Sequence, residues 1–289
     1  MTLRAWSLAT ALVLVVAGCA NKKPVLPADQ LWTEGNASYD DEAYDYAIQK
    51  YKALLDQYPF DPHAEEAELK IAQSYYEIGR YPEAIAAFGN FERMHPTSAF
   101  LPSTEYHRGL AYMAQYTTAD RDQTAVTNAL TTFRNIVDRF PGTPWAMRAQ
   151  LRIRECREAL ARHESEVATY YLHKKSMRAA ESRLRGMLMN YLDTDASADT
   201  LYAFGQAYQV REDQDGATLA YATLVRYHPD GPLATNAREQ LGTGAPAPSD
   251  PLPALVAFID SASAKPDRAA VPRTVSAYPN TGNATGARY

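Results

Sequence analysis

The chain has 289 residues and a formal net charge of −5, with 34 acidic side chains against 29 basic ones. That balance argues against a polyanion as ligand, so no nucleic-acid partner is expected. Its two cysteines, Cys19 and Cys156, exclude a scaffold built on several disulfides.

Residues 1–18 read as an export leader, in which Arg4 precedes an apolar run from Leu8 to Val16 too short to span a bilayer. The run ends in Val16, Ala17, Gly18 and Cys19, a small-residue cleavage site with Cys directly after it, which resembles the lipobox of bacterial lipoprotein signal peptides. That resemblance implies that Cys19 is the acylated mature N-terminus, held in a bilayer by more than one acyl chain. The plainer alternative is an ordinary cleaved signal with an incidental Cys. Ala20 follows, rather than the Asp associated with inner-membrane retention, so the expected location is the periplasmic face of the outer membrane. Residues 19–27 form the acylated tether, and Cys156 alone then remains, with no partner for an intramolecular disulfide.

From 28 to 241 one pattern recurs. Ala47, Tyr51, Leu54, Pro59 is followed by Ala84, Phe88, Phe91, Pro96, by Ala129, Phe133, Ile136, Pro141, by Ala180, Leu184, Met187, Leu192, and by Ala217, Tyr221, Leu224, Pro229. Offsets of four and three put the apolar side chains on one helical stripe, and the terminal Pro stops the helix. About twelve residues before the Ala stands a small residue, with an aromatic three positions later in most copies: Gly35 and Ser38, Ala72 and Tyr75, Ala168 and Tyr171, Gly205 and Tyr208, while Gly109 and Tyr112 match with extra residues inserted after them. A small residue facing a bulky one on the partner helix, at a period near 34, is the tetratricopeptide pattern. The expected fold is all-α, a right-handed superhelical solenoid of about five such repeats near 28–59, 63–96, 100–141, 161–192 and 197–229.

Within that array, Thr117 to Gln123 is a polar insertion that lengthens a loop of repeat three. Trp145 to His173 contains no Gly or Pro and reads as one long helix or two nearly coaxial ones. Its Arg148, Arg152, Arg154, Arg157 and Arg162 are interleaved with Glu155, Glu158, Glu164 and Glu166, which reads as a solvated, ion-paired face, with a basic strip for an acidic partner as the alternative. A closing helix is expected from Leu233 to Leu241. The Pro/Ala/Gly-rich stretch 242–289 is expected to be disordered, apart from an apolar island from Leu252 to Ile259 that either docks on a partner or packs back on the repeats.

No constellation for catalysis or metal binding emerges. Glu92 and His95 have Glu-x-x-His spacing but occur once, and no pair of His at i and i+4 exists for zinc. His63 with Glu66, and His163 with Glu164 and Glu166, are polar positions on Glu-rich helices, and no phosphate loop or nucleophile elbow is present. Cys156 reads as a small buried apolar residue. No cofactor and no enzymatic activity are expected. Most of the 20 tyrosines occupy stripe positions. Tyr44, Tyr46, Tyr76, Tyr81 and Tyr106, by contrast, crowd the first repeats, where the inner face of a solenoid receives extended peptides.

The lipobox, Tyr58-Pro59-Phe60, Ala72 to Tyr76 (AQSYY), Tyr81 with Ala84, Ile85 and Phe88, Phe91 with His95-Pro96-Thr97, and Tyr106 with Arg108-Gly109-Leu110 together resemble the BamD family. So does the later run Leu160, Ala161, His163, Glu164, Val167, Ala168, Tyr170, Tyr171, ending Leu188, Tyr191, Asp193, Thr194. The chain departs from that pattern in Leu192, where Pro is expected, and in its longer tail. The resemblance implies a non-catalytic lipoprotein of the β-barrel assembly machinery. It implies that the C-terminal repeats bind the POTRA region of a BamA-like barrel protein, with Arg183 at the contact, and that other assembly lipoproteins are partners. The N-terminal repeats would recognise the C-terminal strands of unfolded outer-membrane proteins through a groove lined by Tyr44, Tyr76, Tyr81 and Tyr106. Two rivals stand beside this reading. One is a tetratricopeptide lipoprotein of another envelope system, a secretin pilotin or a peptidoglycan-associated adaptor. The other is an enzyme assembled from residues read here as structural.

Overall fold

The computed structural model of the chain describes residues 26–119, 122–242 and 249–264; the expected lipid site, Cys19, lies outside them. The described residues form twelve α-helices and no strand: α1 Ala28–Asp40, α2 Tyr44–Gln57, α3 Ala64–Glu77, α4 Tyr81–Met94, α5 Leu101–Ala114, α6 Thr124–Arg139, α7 Pro144–His173, α8 Met177–Asn190, α9 Asp195–Val210, α10 Gln214–Tyr227, α11 Ala234–Leu241 and α12 Pro251–Ala264. The all-α tetratricopeptide expectation holds, with one helix hairpin for each expected repeat. Two compact units divide the chain, Met1–Val167 with Met187–Ser197, and Ala168–Gly186 with Ala198–Tyr289.

In the first unit α1 to α6 pack as consecutive neighbours. The small-to-large pairing sets how closely they approach. A Cβ on Gly35 would come within 2.7 Å of the Tyr51 ring, and one on Gly109 within 2.5 Å of Phe133, so only Gly lets those rings lie flat against the facing helix. The stripe residues Ala47, Tyr51, Leu54, Ala84, Phe88, Phe91, Ala129, Phe133 and Ile136 are all buried. Each large one contributes about 1.5–3 kcal/mol of apolar burial. The second unit repeats the device, with the Tyr221 ring against Gly205 and with Ala180, Leu184, Ala217 and Leu224 buried.

Four hairpin turns share one backbone solution. Glu42, Gly79, Lys175 and Glu212 have φ of 58, 75, 58 and 60°, and the residue after each donates its N–H back to a carbonyl five residues earlier, as in Ala43 to Ser38 at 2.8 Å and Asp213 to Tyr208 at 2.9 Å. Only one of the four is Gly, so the closing hydrogen bonds hold three side-chain-bearing residues in the left-handed region. The connection from α5 to α6 carries the insertion instead. α8 ends at Asn190 although Leu192 stands where the other repeats have Pro; Tyr191 N–H donates to Met187 O at 2.7 Å as the last helical bond, and the Thr194 hydroxyl donates to Tyr191 O at 2.6 Å. α7 is one uninterrupted helix rather than two, and α11 is the closing helix the sequence predicts.

The tail corrects an expectation. Residues 251–264, inside the stretch read as disordered, form α12, which packs on α10 with Leu255 and Ile259 fully buried. Pro251, Leu255 and Ile259 recur every four residues and make a helical stripe. Pro251 and Pro253 lie in the first turn, where a missing N–H breaks no helical bond. The apolar island packs back on its own chain.

Candidate functional site

Each of the first two hairpins ends its first helix and begins its second with a tyrosine, and the tight turn brings the two rings together. Tyr39 and Tyr44 meet edge to face with centroids 5.3 Å apart, and Tyr76 and Tyr81 meet at 5.7 Å. The turn supplies the geometry: Arg80 N–H returns to Tyr75 O at 2.9 Å, Gly79 takes the left-handed conformation, and Pro82 opens α4.

Charge flanks these rings on both sides. Burial first, and then the Glu77 carboxylate, raises the phenol pKa of both Tyr39 and Tyr44. Lys70 Nζ sits 3.8 Å above the Tyr39 ring, a cation–π contact. The Tyr76 hydroxyl is raised by burial and then by Tyr81 and Glu77, while Arg152 opposes the shift. Arg152 donates from Nε to Tyr106 Oη at 3.3 Å and pairs through Nη1 with Glu155 Oε2 at 2.7 Å, both of which hold its guanidinium protonated.

Tyr106 departs from its expected role as a lining ring. It is only 7% exposed and packs against Phe133 and Trp145 at 5.6 and 5.3 Å, so it belongs to the core and presents no more than its hydroxyl, through Arg152. Tyr76 and Tyr81 come together as a pair, and Tyr44 pairs with Tyr39, which sequence reasoning passed over. The signal was there: Tyr39 and Tyr44 straddle their turn with the same five-residue spacing as Tyr76 and Tyr81. Arg152 was hidden among the interleaved charges of α7.

Such an arrangement can bind but offers no reacting group. The former enzyme candidates are tied up in structure. Glu92 pairs with Arg108 at 2.8 Å and Arg139 at 2.7 Å, His95 Nε2 lies 2.8 Å from Glu68 Oε2, and His163 bonds Ala119 O at 2.5 Å. Cys156 is fully buried, and burial pushes its thiol up to about 12. Among the described residues no group of three His, Cys, Asp or Glu could hold a metal, and no helix is long and apolar enough to cross a membrane. Arg183 is exposed on α8 in the second unit, two residues from Arg185, whose Nε meets Asp260 Oδ1 of α12 at 2.7 Å.

The sequence profile of the YfiO family, described as outer membrane lipoprotein, matches residues 24–224. The outer membrane protein assembly factor BamD of Vibrio cholerae is 29% identical over 205 residues, covering 66% of this chain and 85% of that protein. Its counterpart in Haemophilus influenzae is 29% identical over 212 residues, covering 69% and 81%. Among solved structures, a thermophilic tetratricopeptide protein of Thermus thermophilus covers 75% of this chain and 98% of its own at 17% identity and a TM-score of 0.36, a likeness too loose to add to the fold described above.

Proposed function

The chain belongs to the YfiO family of outer membrane lipoproteins, and from that premise we propose that it is a non-catalytic scaffold of the β-barrel assembly machinery, held at the periplasmic face of the outer membrane by lipid on Cys19. Its first unit binds the C-terminal strands of unfolded outer-membrane proteins. Its second unit docks on the POTRA region of a BamA-like barrel protein, with Arg183 forking onto an acidic side chain there, and other assembly lipoproteins complete the complex. No cofactor is required.

The observation that carries the substrate reading is the repeated tyrosine pair, Tyr39 with Tyr44 and Tyr76 with Tyr81, with the Arg152 charge felt at Tyr76 of the second pair. An extended strand turns a side chain to the same face about every 6–7 Å, and aromatic pairs offer it broad apolar contact at little entropic cost. Arg152 adds a cation for a carboxylate. The test is photo-crosslinking of a barrel C-terminal peptide to the full chain and to a variant carrying Tyr44→Ala, Tyr76→Ala, Tyr81→Ala and Tyr106→Phe. Crosslinking should be largely lost in the variant; unchanged crosslinking would overturn the reading.

A further inference from the structure

Three large apolar side chains stand in solvent on one edge of the first unit. Phe60, in the loop after α2, is 98% exposed; Met94, which ends α4, is 70% exposed; Phe100, just before α5, is 42% exposed. The loops that carry them adjoin. The Ser98 hydroxyl donates to the Glu65 carboxylate and His95 reaches Glu68, which ties the 95–100 loop to the start of α3, the continuation of the Phe60 loop. Pro59 and Pro62 bracket Phe60 and Asp61 and restrict the backbone, so little freedom remains to be lost when that ring is covered.

The N-terminal chain leaves from the same edge, where Tyr58 Oη donates to Leu26 O at 3.0 Å. Cys19 stands seven residues before Leu26, a length that spans at most ~25 Å. Three acids of this edge are held by hydrogen bonds: Asp61 accepts the His63 N–H at 2.8 Å, and Glu65 and Glu68 are engaged as described. Arg93, exposed beside Met94, adds positive charge suited to anionic headgroups.

We infer that this edge is a membrane-contacting face, in which Phe60, Met94 and Phe100 enter the headgroup layer of the bilayer that holds the chain. The inference rests on the proposed lipidation of Cys19. A lipid on a short tether fixes distance but not orientation, and a second apolar contact fixes both, since two attachments act at high effective concentration. α2 runs from Tyr44 to Gln57, about 20 Å, so the tyrosine turns at its far end face away from the bilayer and toward arriving chains.

The test uses the full lipidated chain, purified from membranes and reconstituted in mixed phosphatidylethanolamine–phosphatidylglycerol vesicles containing a nitroxide-bearing lipid. A polarity-sensitive fluorophore is attached at Phe60→Cys, at Met94→Cys and, for reference, at Tyr46→Cys, an exposed position near the opposite end of α2. Cys156 is buried and stays unlabelled. The expected result is loss of most fluorescence at 60 and 94 with little loss at 46. Equal signals at all three positions on a chain whose intact mass carries the lipid would overturn the inference, as would crosslinks from position 60 to another envelope protein without quenching. An intact mass lacking the lipid would overturn the anchoring itself, and this inference with it.

Discussion

Phe258 of the C-terminal helix sets its ring edge-on to that of Tyr208, with centroids 5.5 Å apart, and lies over Gly216. Tyr208 in turn donates its hydroxyl to Glu181 at 2.9 Å, and burial pushes that phenol far up, so the ring and its bond are sealed beneath α12. α12 lies beyond the span that the family profile matches and caps the last hairpin of the second unit. Phe258→Ala is expected to cost about 2 kcal/mol, below the full core value because the ring is only partly covered. Chemical denaturation with a probe in the second unit measures it.

Glu105 makes stability depend on pH. It is 1% exposed on α5, facing Glu92 of α4, its neighbour Arg108 and Arg139 of α6, and its Oε2 has no hydrogen-bond partner. Burial and then the Glu92 charge push its carboxyl from 4.5 up to about 7, against the pull of the two arginines. The folded state therefore holds a proton that the unfolded state releases earlier. The stability tied to that proton is complete below the unfolded value and is lost as pH rises through the folded one. Glu92 is shifted down and works in the opposite direction, so Glu105→Gln is the clean probe. It should flatten the fall in stability between pH 4.5 and about 7, as measured by denaturation midpoints across that range.

The left-handed turn at Glu212, with φ of 60°, stores removable strain. Glu212→Gly should raise stability by about 0.5 kcal/mol, the relief of the Cβ clash less the entropy that Gly adds to the unfolded chain. A fall in melting temperature would show that the Glu side chain has a role the turn geometry does not reveal.

Cys156 should resist alkylation in the native protein at mildly alkaline pH, since the thiol is buried and lifted to about 12. Rapid native-state labelling, followed by intact mass, would mean that α7 opens locally.

The repeats were legible because a stripe of Ala, aromatic and Leu at fixed offsets can only be satisfied by a facing helix, and Gly35 against Tyr51 shows how literally the small-to-large pairing is used. α12 was not legible. Pro-rich composition argued for disorder, while the position of Pro251 and Pro253 in a first turn, and the buried face offered by α10, decided for a helix. At the aromatic turns, the sequence offered Tyr44, Tyr76 and Tyr81 as candidates; the structure pairs Tyr76 with Tyr81, but Tyr44 with Tyr39. Sequence reasoning misjudged Tyr106 because a stripe and a surface tyrosine look alike until Trp145 is folded over one of them. Arg152 was missed because its place beside the Tyr106 hydroxyl depends on how α7 meets α5, which no local pattern encodes.

The most direct test of the scaffold account is to crosslink the protein in living cells, capture it from detergent-solubilised membranes and identify its companions by mass spectrometry. The account predicts a POTRA-containing barrel protein that disappears from the capture of an Arg183→Ala variant. Recovery of a secretin or of cell-wall enzymes, unaffected by that substitution, would contradict it.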